Sequence, residues 1–444
     1  MKVKQIRTSN VELWKEIAES EFTKNYVMSD TSFIIDPSKT FQSISGFGGA
    51  VTESSCSTIL EASSELQSDI LKSYYSSDGL NYNLGRLHIA SSDFSLENYE
   101  YLTTPNLDEF DMSHEDKALI PLLKRIDKVA GKKIQYLASP WSPPAFMKTN
   151  NERNYGGHLL RNYYSLYASY LIKYLEEMEK RGIDIFALSV QNEPAAVQTW
   201  DSCNYSAEDE RDFVRDFLGP KLKISNENLK VLVWDHNRGN DLIKRSLTIF
   251  SDKKAASYIY GVGFHWYMNE DYESLSNFHN LYPDKSLMFT EGCIEYSVLG
   301  KDKDHWTKSG EHYARHMIND FNNYNEAFID WNIVLNEIGG PNHVGNYCEA
   351  PIMYDRIKKE VIKNSSYYYI GHFSKYINLG AKRVLSVKTS SNKQIHSVSF
   401  IQNKELITIV LNEGWISDVT LVVDGLGKQF SLPNNSISTF IVHL

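Results

Sequence analysis

The sequence predicts an α/β fold: a (β/α)8 TIM barrel carrying a small antiparallel β-sandwich side domain. Three observations support this. Short apolar runs recur eight times between residues 41 and 375, segments of helical spacing separate them, and beyond about residue 376 the helical spacing stops. The runs are Phe41–Gly46, Leu84–Ala90, Lys133–Ser139, Ile185–Gln191, Lys230–Trp234, Tyr258–Phe264, Ser286–Thr290 and Ala327–Leu335. Near-continuous apolar strands alternating with helices belong to a parallel sheet covered on both faces. Eight such units close into a barrel rather than an open sheet.

The clearest helical segment spans Tyr163 to Arg181. Apolar side chains at Tyr163, Leu166, Tyr167, Tyr170, Leu171, Tyr174, Leu175 and Met178 share one face, and Gly182 follows as a C-terminal cap. In the tail, Arg383–Val387, Ile395–Ile401, Leu406–Leu411, Val419–Val423 and Ile437–Leu444 alternate or run apolar between turn residues, with no helix among them. That pattern predicts antiparallel strands, and Thr31–Ile35 is a candidate extra strand for the same sheet. The expected organisation is therefore an N-terminal segment, 1–40, contributing to the β-sandwich, a catalytic barrel over 41–375, and the C-terminal β-sandwich domain over 376–444.

A composition of 42% hydrophobic and 23% charged residues suits a large buried core. The net charge of −10, without a long run of Lys and Arg, argues against nucleic acid as a partner, because phosphate binding needs a concentrated basic face. The 28 Tyr and 8 Trp fill core first, but rings also stack on the C–H faces of sugars, so the aromatic content favours a carbohydrate ligand. Met1 to Glu16 lacks the roughly 7–15 apolar residues of an export signal. No stretch reaches the roughly 20 apolar residues that cross a bilayer. A cytoplasmic location without stable membrane insertion is expected, with Cys56, Cys203, Cys293 and Cys348 as free thiols.

Barrel enzymes carry their chemistry at the carboxyl ends of the strands. Those ends read Ser91-Ser92-Asp93, Pro140-Trp141-Ser142, Asn192-Glu193-Pro194, Asp235-His236-Asn237, His265-Trp266-Tyr267, Glu291-Gly292 and Asp330-Trp331-Asn332. Glu193 and Glu291 end the fourth and seventh strands, nearly opposite across the mouth. Glycoside hydrolysis needs such a pair: one carboxyl to protonate the leaving oxygen and one carboxylate facing the anomeric carbon, about 5–5.5 Å apart for retention. Arg86, on the second strand, is the cation expected to keep Glu291 charged. Asn192 is placed to hold the sugar 2-hydroxyl.

Other signals have plainer explanations. Gly46-Phe47-Gly48-Gly49 resembles a phosphate loop, but Val51 stands where a dinucleotide fingerprint needs Gly, and a tight turn at the barrel rim is expected. His312 and His316 lie four apart on a helix, without the Glu of a His-Glu-x-x-His metal motif. No metal is assigned there. Cys293 is read as a packed small hydrophobe.

The strand-end motifs resemble those of glycoside hydrolase family 30, in particular its acid β-glucosidase (glucosylceramidase) branch. The matching stretches, in order, are Gly46-Phe47-Gly48-Gly49-Ala50 with Thr52, Ala90-Ser91-Ser92-Asp93-Phe94-Ser95, Leu137-Ala138-Ser139-Pro140-Trp141, Gln191-Asn192-Glu193-Pro194, His265-Trp266-Tyr267, Glu291-Gly292-Cys293, Asp330-Trp331-Asn332, Gly339-Gly340-Pro341-Asn342 and Gly371-His372-Phe373-Ser374-Lys375. The resemblance implies a retaining β-glycoside hydrolase with Glu193 as acid/base, Glu291 as nucleophile and no cofactor. It implies that Asp93, Trp141, Asn192, Trp331 and Asn346 hold the terminal sugar, with an aromatic at Tyr267 lining the mouth. Trp266, from the same strand end, is a further candidate for substrate contact, and Arg86 and His265 are candidate supporting residues. An exo-acting β-glucosidase is the leading expectation. A β-1,6-glucanase, β-xylosidase or β-fucosidase, or a sugar-binding protein without activity, are the alternatives. His88 replaces a Pro of the family pattern, and Ile294 to Gly310 is polar where the ceramide-cleaving enzymes carry apolar residues. A soluble β-glucoside or short β-linked oligosaccharide therefore stands beside a glycolipid as substrate.

Overall fold

A computed structural model describes residues 1–296 and 304–444. Eight parallel strands close into a barrel: β1 (Gly46–Ala50), β2 (Leu84–Ile89), β3 (Gln135–Pro140), β4 (Asp184–Ser189), β5 (Lys230–Asn237), β6 (Gly261–His265), β7 (Ser286–Glu291) and β8 (Ala327–Asn332), with β8 returning to β1. Their inward side chains fill the interior. Leu84, Leu137, Ala187, Leu232, Met288, Ala327 and Ile329 form one buried cluster drawn from six strands, the packed rather than hollow centre usual for this architecture.

The first strand corrects the sequence reading. Phe41–Gly46 was expected as the strand and 46–49 as a turn, yet the glycine run itself forms β1. Its glycines serve close approach. A Cβ on Gly48 would lie 2.2 Å from the Leu84 carbonyl oxygen on β2, and one on Gly49 would lie 2.7 Å from Ile333. Residues Phe41 to Ser43 instead end a long strand, Thr31–Ser43, of the second sheet.

The helix expected over Tyr163–Arg181 runs from Tyr164 to Lys180, with Tyr167, Tyr170, Leu171, Tyr174 and Met178 buried and Gly182 at φ 76° beyond its end. Among the described residues, no helix is long and apolar enough to cross a membrane.

The second sheet has nine strands in the order Lys15–Glu21, Lys2–Thr8, Ser436–His443, Glu405–Asn412, Ile395–Gln402, Lys382–Lys388, Thr31–Ser43, Ser417–Val423 and Leu426–Leu432. Pairing is antiparallel except between Thr31–Ser43 and Ser417–Val423. The sheet folds over onto itself, so that Phe430 near one edge packs on Phe440 in the middle, with ring centroids 4.4 Å apart. Both ends of the chain therefore build one core, from Val3 and Phe33 to Phe440 and Val442. The helix Ser365–Ser374 couples this sheet to the barrel. Buried His372 bonds Thr439 through Nδ1 and Thr8 through Nε2, each at 2.8 Å. Burial pushes its imidazole down to about 3, so it is neutral at ordinary pH.

The Gly48 contact gives a test. Gly48→Ala drives a methyl group into a backbone oxygen that cannot yield without breaking the β1–β2 pairing. It should cost at least about 3 kcal/mol of stability, read as a fall in Tm. Gly131→Ala, in a left-handed position with open space around it, should cost about 1 kcal/mol.

Candidate active site

The carboxyl ends of the barrel strands surround a cavity of about 410 Å³, within the range of small-ligand sites. Another depression, of about 360 Å³, lies at the opposite end among Lys133, Glu176 and Asp184, and no aromatic ring lines it. The first cavity is the functional candidate because acids, amides and aromatic faces converge there.

Asp235 lies beneath its floor. The backbone at Trp234 (φ 71°) and Asp235 (φ 44°) is left-handed, and the register of β5 against β6 slips between Trp234 and His236. A bulge of this kind re-aims side chains. Asp235 Oδ2 accepts from Arg86 Nη2 at 2.8 Å, Ser139 Oγ at 3.1 Å and Ser189 Oγ at 2.6 Å. Its Oδ1 accepts from Thr290 Oγ1 at 2.6 Å and pairs with His265 Nε2 at 3.1 Å. Burial opposes the charge, but the Arg86 guanidinium and these donors hold the carboxyl far below the usual range.

Arg86 is fully buried. Besides Asp235 it donates to Glu291 Oε2, to Asn192 Oδ1 at 2.9 Å and to Ser139 Oγ at 3.2 Å. Its guanidinium also lies over the Trp141 ring, 4.8 Å from the centroid, and Trp141 stacks on Trp331 at 5.3 Å. One cation thus fixes a carboxylate, an amide and two aromatic walls of the cavity. Removing a partner from a buried pair of this kind costs about 3–5 kcal/mol.

Glu291 Oε1 accepts from the Tyr267 hydroxyl at 3.0 Å. Burial pushes the Glu291 carboxyl up, with Arg86 and His265 opposing. Across the cavity, Glu193 sits at φ 46°, its N–H bonded to the Asp235 carbonyl at 3.0 Å. A non-glycine residue in that region costs about 1–3 kcal/mol and persists only where neighbours enforce it. Glu193 Oε1 lies 3.1 Å from His265 Nδ1 and 3.4 Å from His236 Nδ1. Against burial, these two imidazoles hold Glu193 below the usual carboxylate range.

Burial works against charge on His265 as well, yet Glu291, Asp235 and Glu193 together push it up to about 9. Its Nε2–H is committed to Asp235, so one proton lies along the Nδ1···Oε1 hydrogen bond to Glu193. That proton belongs to the pair. With Glu291 paired to Arg86, Glu193 and His265 share the proton nearest a leaving group at this end of the cavity.

Asp93 and Asn346 form another wall. Asn346 Nδ2 donates to Asp93 Oδ2 at 3.1 Å, and Asp93 Oδ1 has no partner among the described residues despite its burial. Burial, and then the charge of Glu291, push this carboxyl well up. An acceptor left open in a cavity is suited to ligand hydroxyls. Asn192, with Oδ1 held by Arg86, has its amide donor left for the same purpose.

Of the residues named from sequence, Asp93, Trp141, Asn192, Glu193, Tyr267, Glu291, Trp331 and Asn346 line the cavity, while Arg86 and His265 lie beneath it. Trp266 does not reach it. Successive residues of an extended segment face opposite ways. His265 and Tyr267 point toward the cavity, and Trp266 packs outward against Phe289, Tyr313 and His316, with Nε1 on the Cys293 carbonyl at 3.3 Å. His312 and His316 belong to that outer packing, where His316 Nδ1 bonds Arg238 and, at 3.0 Å, Tyr272. Gln198, Trp200, His236, Asn237 and Met268 also line the cavity, and of these the sequence points only to His236 and Asn237, as a strand end without an assigned role. Trp200 and Met268 sit in loops without periodic signal. His236 and the central role of Asp235 were within reach, because Asp235-His236-Asn237 ends an apolar strand.

Comparison with known proteins agrees with this architecture. Residues 44–377 match the family model described as the glycosyl hydrolase family 30 TIM-barrel domain. The mouse (Mus musculus) lysosomal acid glucosylceramidase is 34% identical over 92% of this chain and 82% of its own length. The crystal structure of SrfJ from Salmonella typhimurium superposes with a TM-score of 0.95 at 34% identity, covering 100% of both chains. The endo-β1,6-glucanase BT3312 superposes with a TM-score of 0.88 at 27% identity over 99% of this chain and 98% of that one. An eight-stranded barrel matched by the family model over three quarters of its sequence places the chain plainly: it belongs to glycoside hydrolase family 30 and is a glycosidase acting on a carbohydrate substrate.

Proposed function

We propose that the enzyme is a retaining, exo-acting β-glucosidase of the glucosylceramidase type. Glu291 attacks the anomeric carbon, and Glu193 protonates the leaving oxygen and then deprotonates the water that releases the sugar. The observation that carries this reading is the unequal support of the two carboxyls around one cavity. Glu291 is held by a permanent cation and a phenol, as a nucleophile that must stay ionised requires. Glu193 shares a proton with an imidazole, as a group that gives and regains one requires. The open Oδ1 of Asp93 and the amide of Asn192 would take sugar hydroxyls, and the Trp141–Trp331 pair would face the ring. The likeness to the mouse glucosylceramidase supports glucose in that place. The chemistry needs no cofactor.

A second reading, hydrolysis within a β-1,6-linked glucan, is favoured by the likeness to BT3312. The polar Gln198 and Asn237, which line the cavity together with Trp200, suit a sugar aglycone as well as a lipid one. The segment Ile294 to Gly310, whose polarity separates this chain from the ceramide-cleaving pattern, lies partly outside the described residues.

The proposal predicts β-glucose as the first product anomer from nitrophenyl β-glucoside, read by NMR, with slower release from the xyloside, fucoside and galactoside. First-formed α-glucose would refute the double displacement. Release of oligosaccharides from a β-1,6-glucan faster than glucose from any small glucoside would favour the second reading.

Glu193→Gln should lower turnover of poor leaving groups by about 10²–10⁴-fold and spare the first step for activated aryl glycosides, while Glu291→Ala should abolish turnover of both. Equal losses on both substrate classes in Glu193→Gln would overturn the acid/base role.

His265 retains its proton above its ordinary value, so kcat/KM should hold as pH rises and fall only toward about 9. In His265→Gln the carboxyl alone must keep the proton, and the alkaline limb should move to lower pH by about 1 unit or more. An unmoved limb would show that the proton is not shared.

A further inference from the structure

Among the described residues, Glu193, His236 and His265 make the one grouping of His, Cys, Asp and Glu side chains whose donor atoms converge as ligands would, all within 4.8 Å of one another. The geometry points to a second use of these residues: the acid/base end of the cavity is a binding site for a late first-row divalent ion such as Zn²⁺ or Cu²⁺, and the bound ion switches the enzyme off. Four features support it. Donors around a tetrahedral ion at bond lengths of about 2.0–2.1 Å stand roughly 3.3 Å apart. Glu193 Oε1 lies 3.1 Å from His265 Nδ1 and 3.4 Å from His236 Nδ1, so two edges of the polyhedron are already formed. The ligand set, two imidazoles and a carboxylate, suits zinc and copper rather than magnesium or calcium.

The second coordination layer is also in place. His265 Nε2–H is tied to Asp235 Oδ1 at 3.1 Å, which leaves Nδ1 as the atom facing an ion and mirrors the carboxylate–histidine–metal arrangement of known sites. Binding displaces the proton that Nδ1 shares with Glu193 and releases it to solvent. Glu193 and His236 both line the cavity, giving the ion an entry path and leaving its fourth position for water or a substrate hydroxyl. The Asn237 amide, now 3.2 Å from His236 Nδ1, would have to release that lone pair. The other histidine pair offers a contrast. His316 Nδ1 is committed to Arg238 and Tyr272, and although Glu270 Oε1 lies 3.8 Å from His316 Nε2, these side chains do not form a converging ligand set among the described residues.

Ion binding depends only on these three side chains. Its inhibitory effect rests on the reading of Glu193 as acid/base, because a carboxylate on a metal can neither carry nor give a proton. The test separates the two. The protein is titrated with CuCl2 and ZnCl2, following calorimetry for both and the Cu²⁺ electron paramagnetic resonance spectrum for nitrogen couplings. Nitrophenyl glucoside hydrolysis is measured in parallel.

We expect one tight site with two coupled nitrogens, inhibition in proportion to occupancy, reversal by EDTA, and no effect of MgCl2. His236→Asn should weaken binding at least about 10-fold, whereas His312→Gln and Cys293→Ser should leave the affinity unchanged. Absence of a bound ion with coupled nitrogens would overturn the site, as would full affinity in His236→Asn or its loss in Cys293→Ser. A bound ion with two nitrogens and undiminished hydrolysis would confirm the site and overturn the acid/base reading on which the inhibition rests.

Discussion

A permanently charged guanidinium at the centre of the barrel is the constraint from which the site follows. Arg86 has no contact with solvent, so its charge must be met inside the protein, and Asp235 and Glu291 meet it. The low dielectric that makes an unpaired Arg86 untenable also makes these pairings rigid. Glu291 is held in place by it directly. Asn192 is oriented by it, and the two tryptophans are stacked over it. Through Asp235 the constraint reaches His265, and through His265 it reaches Glu193 on the far side of the cavity. The glutamates therefore occupy different electrostatic settings although both belong to one network.

Much of the barrel was legible in the sequence because parallel strands buried on both faces are apolar throughout. Val231-Leu232-Val233 on β5 and Leu287-Met288-Phe289 on β7 could hardly be read otherwise. The first strand was not legible, and its failure has a cause. β1 is selected for lack of volume, since Leu84 and Ile333 occupy the space its side chains would need, and strand propensity measures the fit of side chains that glycine lacks. The strands Lys2–Thr8 and Lys15–Glu21 escaped notice for another reason. The outer one, KEIAESE, lies at the edge of the sheet, where charge discourages further pairing.

In the site, residues at the ends of apolar runs could be placed on the rim from sequence, since strand direction decides which end is the mouth. Which way each one faces could not. Bulges near Asp235, Glu291 and Asn332 shift the alternation by one residue, and a shift of one exchanges inside for outside. Trp266 faces away by plain alternation, between His265 and Tyr267, whose side chains turn toward the cavity. Asp235 illustrates a different limit. Its importance comes from five partners on five other strands, and a linear sequence does not display convergence of that kind.

The order of strands in the nine-stranded sheet bears on how the protein is made. Lys2–Thr8 is synthesised more than four hundred residues before its inner neighbour, Ser436–His443. Until then the hairpin of Lys2–Thr8 and Lys15–Glu21 has one edge without a partner, and His372 has only one of its two threonine bonds to make. Pairings separated by more than four hundred residues carry a heavy loop-closure cost and form late. A nascent chain of this kind presents a barrel whose covering sheet cannot close before Ser436–His443 has been made. Loss of Ser436–His443 alone would expose both Lys2–Thr8 and Glu405–Asn412 as bare edges, a direct route to aggregation rather than to a slightly weakened enzyme.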